Sequence, residues 1–150
     1  MTAMASLSQT ATEDFVVADM LQAPCEAAAT ALPVDGVGVM LCRDGRNVFG
    51  HAAGAGEADV QFLERLQEAL QTGPCADCIA QSSMVLWADL VRDGRWVEFQ
   101  ALAGELHLGA MVAIPLLSRG QGWGVLDLYR RTPLLWTSEE LQAAQALDLA

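Results

Sequence analysis

The sequence predicts an α+β domain built on an antiparallel sheet, and three observations predict it. Arg43-Asp-Gly-Arg46 and Ser118-Arg-Gly-Gln-Gly122 each separate two strand-like apolar runs, and hairpin turns of this kind make neighbouring strands antiparallel. Between the hairpins, Phe62, Leu63, Leu66 and Leu70 recur at three and four, the spacing of an amphipathic helix. The run Ala110-Met-Val-Ala-Ile-Pro-Leu-Leu117 is apolar on both faces, so helices or other cover must lie on both sides of that strand.

The elements follow in order. Residues 1–11 read as a flexible leader and residues 12–150 as one domain. Thr10-Ala-Thr-Glu13 has capping-box spacing and opens a helix whose apolar face runs from Phe15 to Leu32, with Pro24 expected to bend or interrupt it. Val37, Val39 and Leu41 alternate with Gly38, Met40 and Cys42 as a strand, and Asn47 to Ala53 returns beside it. A helix from Asp59 to Leu70 comes next, then a short helix opened by Thr72-Gly-Pro74. Met84 to Trp87 is a strand, Asp89 to Gly94 a turn, and Trp96 to Leu108 a helix. Strands at Gly109–Leu117 and Trp123–Tyr129 precede a final helix, capped by Thr137-Ser-Glu-Glu140 and running to the last residue.

Composition narrows the function classes. With 53% apolar and 18% charged residues the chain can fill a core, which argues against disorder. Nineteen acids face eight arginines and no lysine, a net charge of -11 that repels phosphate backbones and anionic lipid surfaces. Neither direct nucleic-acid binding nor membrane binding is therefore expected. No apolar stretch approaches the ~18 residues of a membrane helix, and Met1 to Ser8 lacks a secretion signal, so the cytoplasm is the expected compartment. The cysteines at 25, 42, 75 and 78 do not form a secreted disulfide framework, and no set has zinc-finger spacing.

The ordered series Gly73-Pro-Cys75, Val85-Leu-Trp-Ala-Asp-Leu90, Arg95-Trp96, Ala113-Ile-Pro-Leu116, Gly124-Val-Leu-Asp-Leu-Tyr129 and Trp136-Thr-Ser-Glu-Glu-Leu141 resembles a GAF domain. The similarity is strongest to the bacterial type found upstream of ANTAR outputs, although no ANTAR segment is present here. The resemblance implies a central antiparallel sheet of about five to six strands with helices on both faces. It also implies a ligand cavity on one face and a homodimer built through the first and last helices. No residue set matches the cyclic-nucleotide signature of phosphodiesterase GAF domains.

Several side chains are candidates for the site, each with a plainer role beside it. Cys75 and Cys78 lie three apart near a helix N-terminus, where free amides favour a thiolate, although Asp77 opposes it; buried wall cysteines are the simpler reading. Trp87, Trp96, Phe99 and Met111 form the expected ligand-facing apolar set or, equally, a filled core. Asp89 could hold a polar ligand group or cap its turn. His107 could face a ligand or a haem from the helix end, but a charged imidazole at a helix C-terminus explains it as well; no cofactor or metal is expected. No phosphate loop or nucleophile triad appears.

The resulting expectation is a non-enzymatic module that senses an unidentified small molecule and dimerises, in a signalling or transcription-regulatory protein. The alternative is a thiol enzyme or redox sensor using Cys75 and Cys78, akin to the GAF-fold methionine sulfoxide reductases. The stretch Asp93 to Leu108, where that family's attacking thiol would be sought, contains no cysteine.

Overall fold

In a computed structural model, residues 20–87, 95–132 and 136–145 are described. The predicted leader, the Thr10–Glu13 cap, Phe15, Val16, the turn at 89–94 and the last five residues of the final helix lie outside them. So do Asp89 and the side chain of Trp87.

The elements are α1 (Gln22–Ala31), β1 (Gly36–Arg43), β2 (Arg46–Ala53), α2 (Glu57–Leu70), α3 (Pro74–Gln81), β3 (Val85–Trp87), α4 (Val97–Glu105), β4 (Ala110–Ser118), β5 (Gln121–Arg130) and α5 (Ser138–Gln145). The strands form one antiparallel sheet in the order β2-β1-β5-β4-β3.

Turn chemistry sets the two hairpins. Asp44 and Gly45 both take positive φ, 52° and 77°, as do Arg119 and Gly120, 52° and 79°. Two left-handed residues in succession match the right-handed twist of the flanking strands. The second turn is therefore two residues long, and Gln121 and Gly122 belong to β5. In β4, Pro115 sits beyond the segment paired with β3, where the strand is an edge and a missing N–H is tolerated.

Alternation along the strands divides the core into two layers. Met40, Met111, Ala113, Val125 and Tyr129 face α2, α3 and α4, where they meet Leu63, Cys75, Cys78, Trp96 and Phe99. Val39, Val112, Ile114, Leu126 and Leu128 face the other way, against Cys25 and Ala28 of α1 and Ala144 of α5. The strand that reads as apolar on both sides is buried on both sides.

The interruption expected at Pro24 is present: Met20 is helical, Leu21 is a turn, and α1 resumes at Gln22 with Pro24 in its first turn, where its absent N–H is not needed. Two local readings change. The helix expected to reach Leu108 stops at Glu105, because His107 turns left-handed (φ 59°) and the Leu108 and His107 amides close back on Ala103 and Gly104. The apolar stripe of α2 is also rotated from the one the spacing suggested. Val60, Leu63, Glu64 and Gln67 are buried, whereas Phe62 is 49% exposed. Glycines on β1 permit this: a Cβ at Gly36 would overlap Val60, and one at Gly38 would overlap the Glu64 carboxyl.

Candidate functional site

The layer between the sheet and α2–α4 encloses a polar centre. Glu64 and Asp127 are both 0% exposed. Helical spacing places Glu64 and Gln67 beside Val60 and Leu63 on one face of α2, and alternation places Asp127 between Val125 and Tyr129 on the inner face of β5. The Tyr129 hydroxyl donates to Glu64 Oε1 at 2.9 Å, and Gln67 Nε2 donates to that hydroxyl at 3.3 Å. Gln67 Oε1 accepts the Cys75 amide at 3.0 Å, which links the network to the start of α3.

This chain of bonds does not reach Glu64 Oε2 or the Asp127 carboxyl, which as carboxylates accept from no well-aligned donor. The Gln67 amide beside Asp127 favours its charged form. The two carboxyls lie within hydrogen-bonding reach of each other. Burial raises Glu64 above the carboxylate range, while Tyr129 and Asp127 pull it back. Burial, and then the charge of Glu64, hold Asp127 well above its ordinary value. Two carboxylates so placed cannot both ionise cheaply, which favours a proton held between them.

The predicted site residues divide. Cys75, Cys78, Trp96, Phe99 and Met111 come together in the apolar wall around this centre. Trp96 Nε1 donates to Asp77 at 2.9 Å, fixing the indole against α3. Met111 pairs in register with Trp87. His107 is exposed in the cap of α4 and does not join the group.

The cysteines are free thiols. Burial, then Asp127 and Glu64, push Cys75 well above its usual value; burial and then Asp127 push Cys78 up to about 12. The helix-terminal amide that could have favoured a Cys75 thiolate is instead bonded to Gln67. This environment keeps sulfur protonated and unreactive.

Two depressions reach this layer from outside. A cleft of about 20 Å³ is lined by Asp35, Asp59, Leu106, Leu108, Tyr129 and Arg131, among others, and Tyr129 belongs to both cleft and polar centre. At its mouth Arg131 binds Asp59 at 2.9 Å and the Leu106 carbonyl at 3.2 Å. A groove of about 550 Å³ runs past Leu70, Thr72, Asp77, Trp96, Val97 and Phe99. Among the described residues no cluster of three or more His, Cys, Asp or Glu could hold a metal ion, and no helix is long and apolar enough to cross a membrane.

Sequence reasoning missed Glu64, Gln67, Asp127 and Tyr129. One signal was available for Asp127: an acid at an inward position of a strand whose neighbour is apolar on both faces.

Fold and site together define a class, an α+β domain with a buried Glu64–Gln67–Asp127–Tyr129 group under one helical layer. The chain belongs to the GAF domain family, whose model matches residues 17–147; GAF domains are small-molecule-sensing modules of signalling proteins. Similar solved structures include a type II free methionine-R-sulfoxide reductase from Thermoplasma acidophilum, with 16% identity over 91% of this chain and 90% of that one, at a TM-score of 0.69. The GAF domain of a phosphoenolpyruvate-protein phosphotransferase from Coxiella burnetii shares 19% identity over 96% of this chain and 86% of that one, with a TM-score of 0.67. A GAF domain/HD domain protein from Geobacter sulfurreducens shares 12% identity over 91% and 89%, with a TM-score of 0.69. At these identities the likeness is one of fold. No curated protein sequence matches the chain.

Proposed function

We propose that this GAF domain is a non-enzymatic small-molecule-sensing and dimerisation module of a bacterial signalling or transcription-regulatory protein, of the kind that precedes ANTAR outputs. One observation carries the reading: Glu64 and Asp127, two fully buried carboxyls in a layer otherwise rich in apolar side chains, meet each other with no basic group among those that set their protonation. Buried polar groups are normally paired, and a bound molecule is a natural partner for these. Cys75, Cys78, Trp96, Phe99 and Met111 are the apolar wall of the proposed site, and Glu64, Gln67, Asp127 and Tyr129 are its polar floor. The absence of catalysis is supported by the thiols, which their surroundings keep protonated.

The output follows from the two-layer core. Occupancy on the α2–α4 side changes the packing of α4 and of β5. On the opposite side, Arg130 at the end of β5 donates to the Pro33 carbonyl at 2.8 Å and pairs with Glu140 of α5, so a shift of β5 reaches both terminal helices. A dimer formed through those helices would transmit it. Native mass spectrometry tests the reading, with a dimer and a retained small molecule expected. A chain that binds no small molecule, and whose assembly and hydrogen exchange respond to none, contradicts it.

A further inference from the structure

The carboxyls of Glu64 and Asp127 meet each other across the layer, and neither is exposed to solvent. Glu64 is seated close against β1, its carboxyl filling the space that a Cβ on Gly38 would need. The Tyr129 hydroxyl donates to Glu64 Oε1 at 2.9 Å, and no basic group is among those that set the protonation of either acid. A carboxylate only accepts, so two of them in contact repel; a proton between them turns the same contact into a hydrogen bond. The closed packing of α2 on the sheet thus depends on that proton.

We propose that the Glu64–Asp127 contact is a proton-operated hold on α2, which seats the helix while the proton is present and releases it from the sheet when the proton leaves. This goes beyond small-molecule sensing and gives the domain a second input, solvent pH. The two ends of α2 are fastened unequally. At the C-terminal end Glu68 accepts the Phe49 amide at 2.7 Å, and Gln71 accepts from and donates to the Asn47 backbone at 3.0 and 2.9 Å. At the N-terminal end Arg131 pairs with Asp59 at 2.9 Å in an exposed bridge, a weak fastening. Release therefore hinges at residues 68–71 and carries Val60, Leu63 and Glu64 away from β1 and β5. It also reaches α3, because Gln67 Oε1 accepts the Cys75 amide at 3.0 Å.

The surroundings leave the pair as the part that titrates. Tyr129 of β5, Cys75 and Cys78 of α3, and Cys25 of α1 beneath the sheet are all pushed up by burial and keep their protons at neutral pH. Cys42 of β1 and Asp77 of α3 lie farther out, the latter bonded to Trp96. Glu98 and Glu105 of α4 are exposed, and β3 and β4 carry no titratable residue. His51 of β2 pairs with Val39 and faces the α1 side. In the open form both acids ionise at ordinary values, whereas in the closed layer burial lifts Glu64 to about 7 and holds Asp127 well above its usual range. Between those values the open form binds fewer protons, so rising pH favours opening, about 10-fold per pH unit for each proton released.

Hydrogen exchange of the full ligand-free chain from about pH 5 to about pH 8, corrected for the intrinsic pH dependence of amide exchange, tests this. Exchange in residues 57–67 should quicken by at least ~10-fold across that range, while β4 and β5 stay protected. Glu64→Gln keeps the side chain's shape and offers Asp127 an N–H in place of the proton, so α2 should stay protected at every pH. Asp127→Asn should do the same from the other side. Infrared spectra of the unmodified chain should show the carbonyl stretch of a protonated carboxylic acid on the acid side, fading as α2 opens. These two measurements on the unmodified chain decide the matter even where a variant fails to fold. Equal quickening in α2 and in β4–β5 is global unfolding and overturns the switch. So do α2 exchange that is flat or slows with pH, a pH response retained in both variants, or no protonated-acid band.

Discussion

The Tyr129 hydroxyl donates to Glu64 Oε1 across 2.9 Å, joining β5 to the middle of α2 inside an otherwise apolar layer. The phenol oxygen in turn accepts from Gln67, whose side-chain carbonyl holds the first turn of α3. One phenol thus connects a strand and two helices.

Tyr129→Phe removes that donor and leaves Glu64 Oε1 without its partner. The ring still fills its place, so the loss is the hydrogen bond and the desolvated carboxyl, about 1–3 kcal/mol. Urea unfolding should show a lower midpoint with an unchanged slope. An unchanged midpoint would mean that the phenol does not support α2.

The ligand-free chain should become less stable as pH rises through the weakly acidic range. Glu64 is raised from 4.5 to about 7, and Asp127 is held well above its ordinary value. The folded chain therefore binds more protons than the unfolded chain above the ordinary carboxylate value, and stability falls as pH rises toward the Glu64 value near 7. Among the neighbouring groups, Tyr129, Cys75, Cys78 and Cys25 keep their protons across that window. Unfolding free energies at a series of pH values should decline, and Glu64→Gln should flatten the decline. Stability that climbs across the same window would contradict the shared-proton pair.

Gly38→Ala places a methyl group where the Glu64 carboxyl now lies. Overpacking of this kind costs about 1–3 kcal/mol. Glu64→Ala in the same chain should relieve part of it, and a double-mutant cycle between the two positions reads the coupling. Additive effects would show that the glycine does not make room for the acid.

Thiol labelling of the native chain should modify Cys42, which is half-buried, well before Cys25, Cys75 and Cys78, which are buried. Mild peroxide followed by mass mapping should leave Cys75 and Cys78 intact, since thiols are oxidised as thiolates and these are held protonated. Rapid formation of a Cys75–Cys78 disulfide would revive the redox alternative.

Arg130→Lys should loosen α5. The guanidinium holds Pro33, Glu140 and the face of Trp136, 3.9 Å from the ring centre, and an ammonium cannot reproduce that planar fork. Faster amide exchange across residues 138–145 is the expected result. Unaltered exchange would remove Arg130 as the link from sheet to terminal helix.

The sequence made the scaffold legible where chemistry is local. Asp44-Gly45 dictated a turn, and the Thr137 capping box formed as its spacing implied, with Glu140 Oε1 accepting the Thr137 amide at 2.9 Å. The double-sided burial of β4 was legible because no residue from Ala110 to Leu117 is polar. The site was only half legible. Its apolar wall, from Cys75 to Met111, could be read from the family pattern. Its polar floor could not, because an acid in a helix reads as solvated unless the partner surface is known. Glu64 is buried against Gly38 of β1, and Phe62, the more apolar neighbour, is turned outward. Only the assembled sheet reveals which face of α2 points inward.

The central claim is that a molecule bound inside the α2–α4 layer is felt by the terminal helices. Hydrogen-exchange mass spectrometry of the chain with and without the small molecule it retains tests this most directly. Greater protection in α2 and α4, together with an altered rate in α5, is the predicted result. A change confined to the binding layer, with α5 exchanging identically in both states, would contradict it.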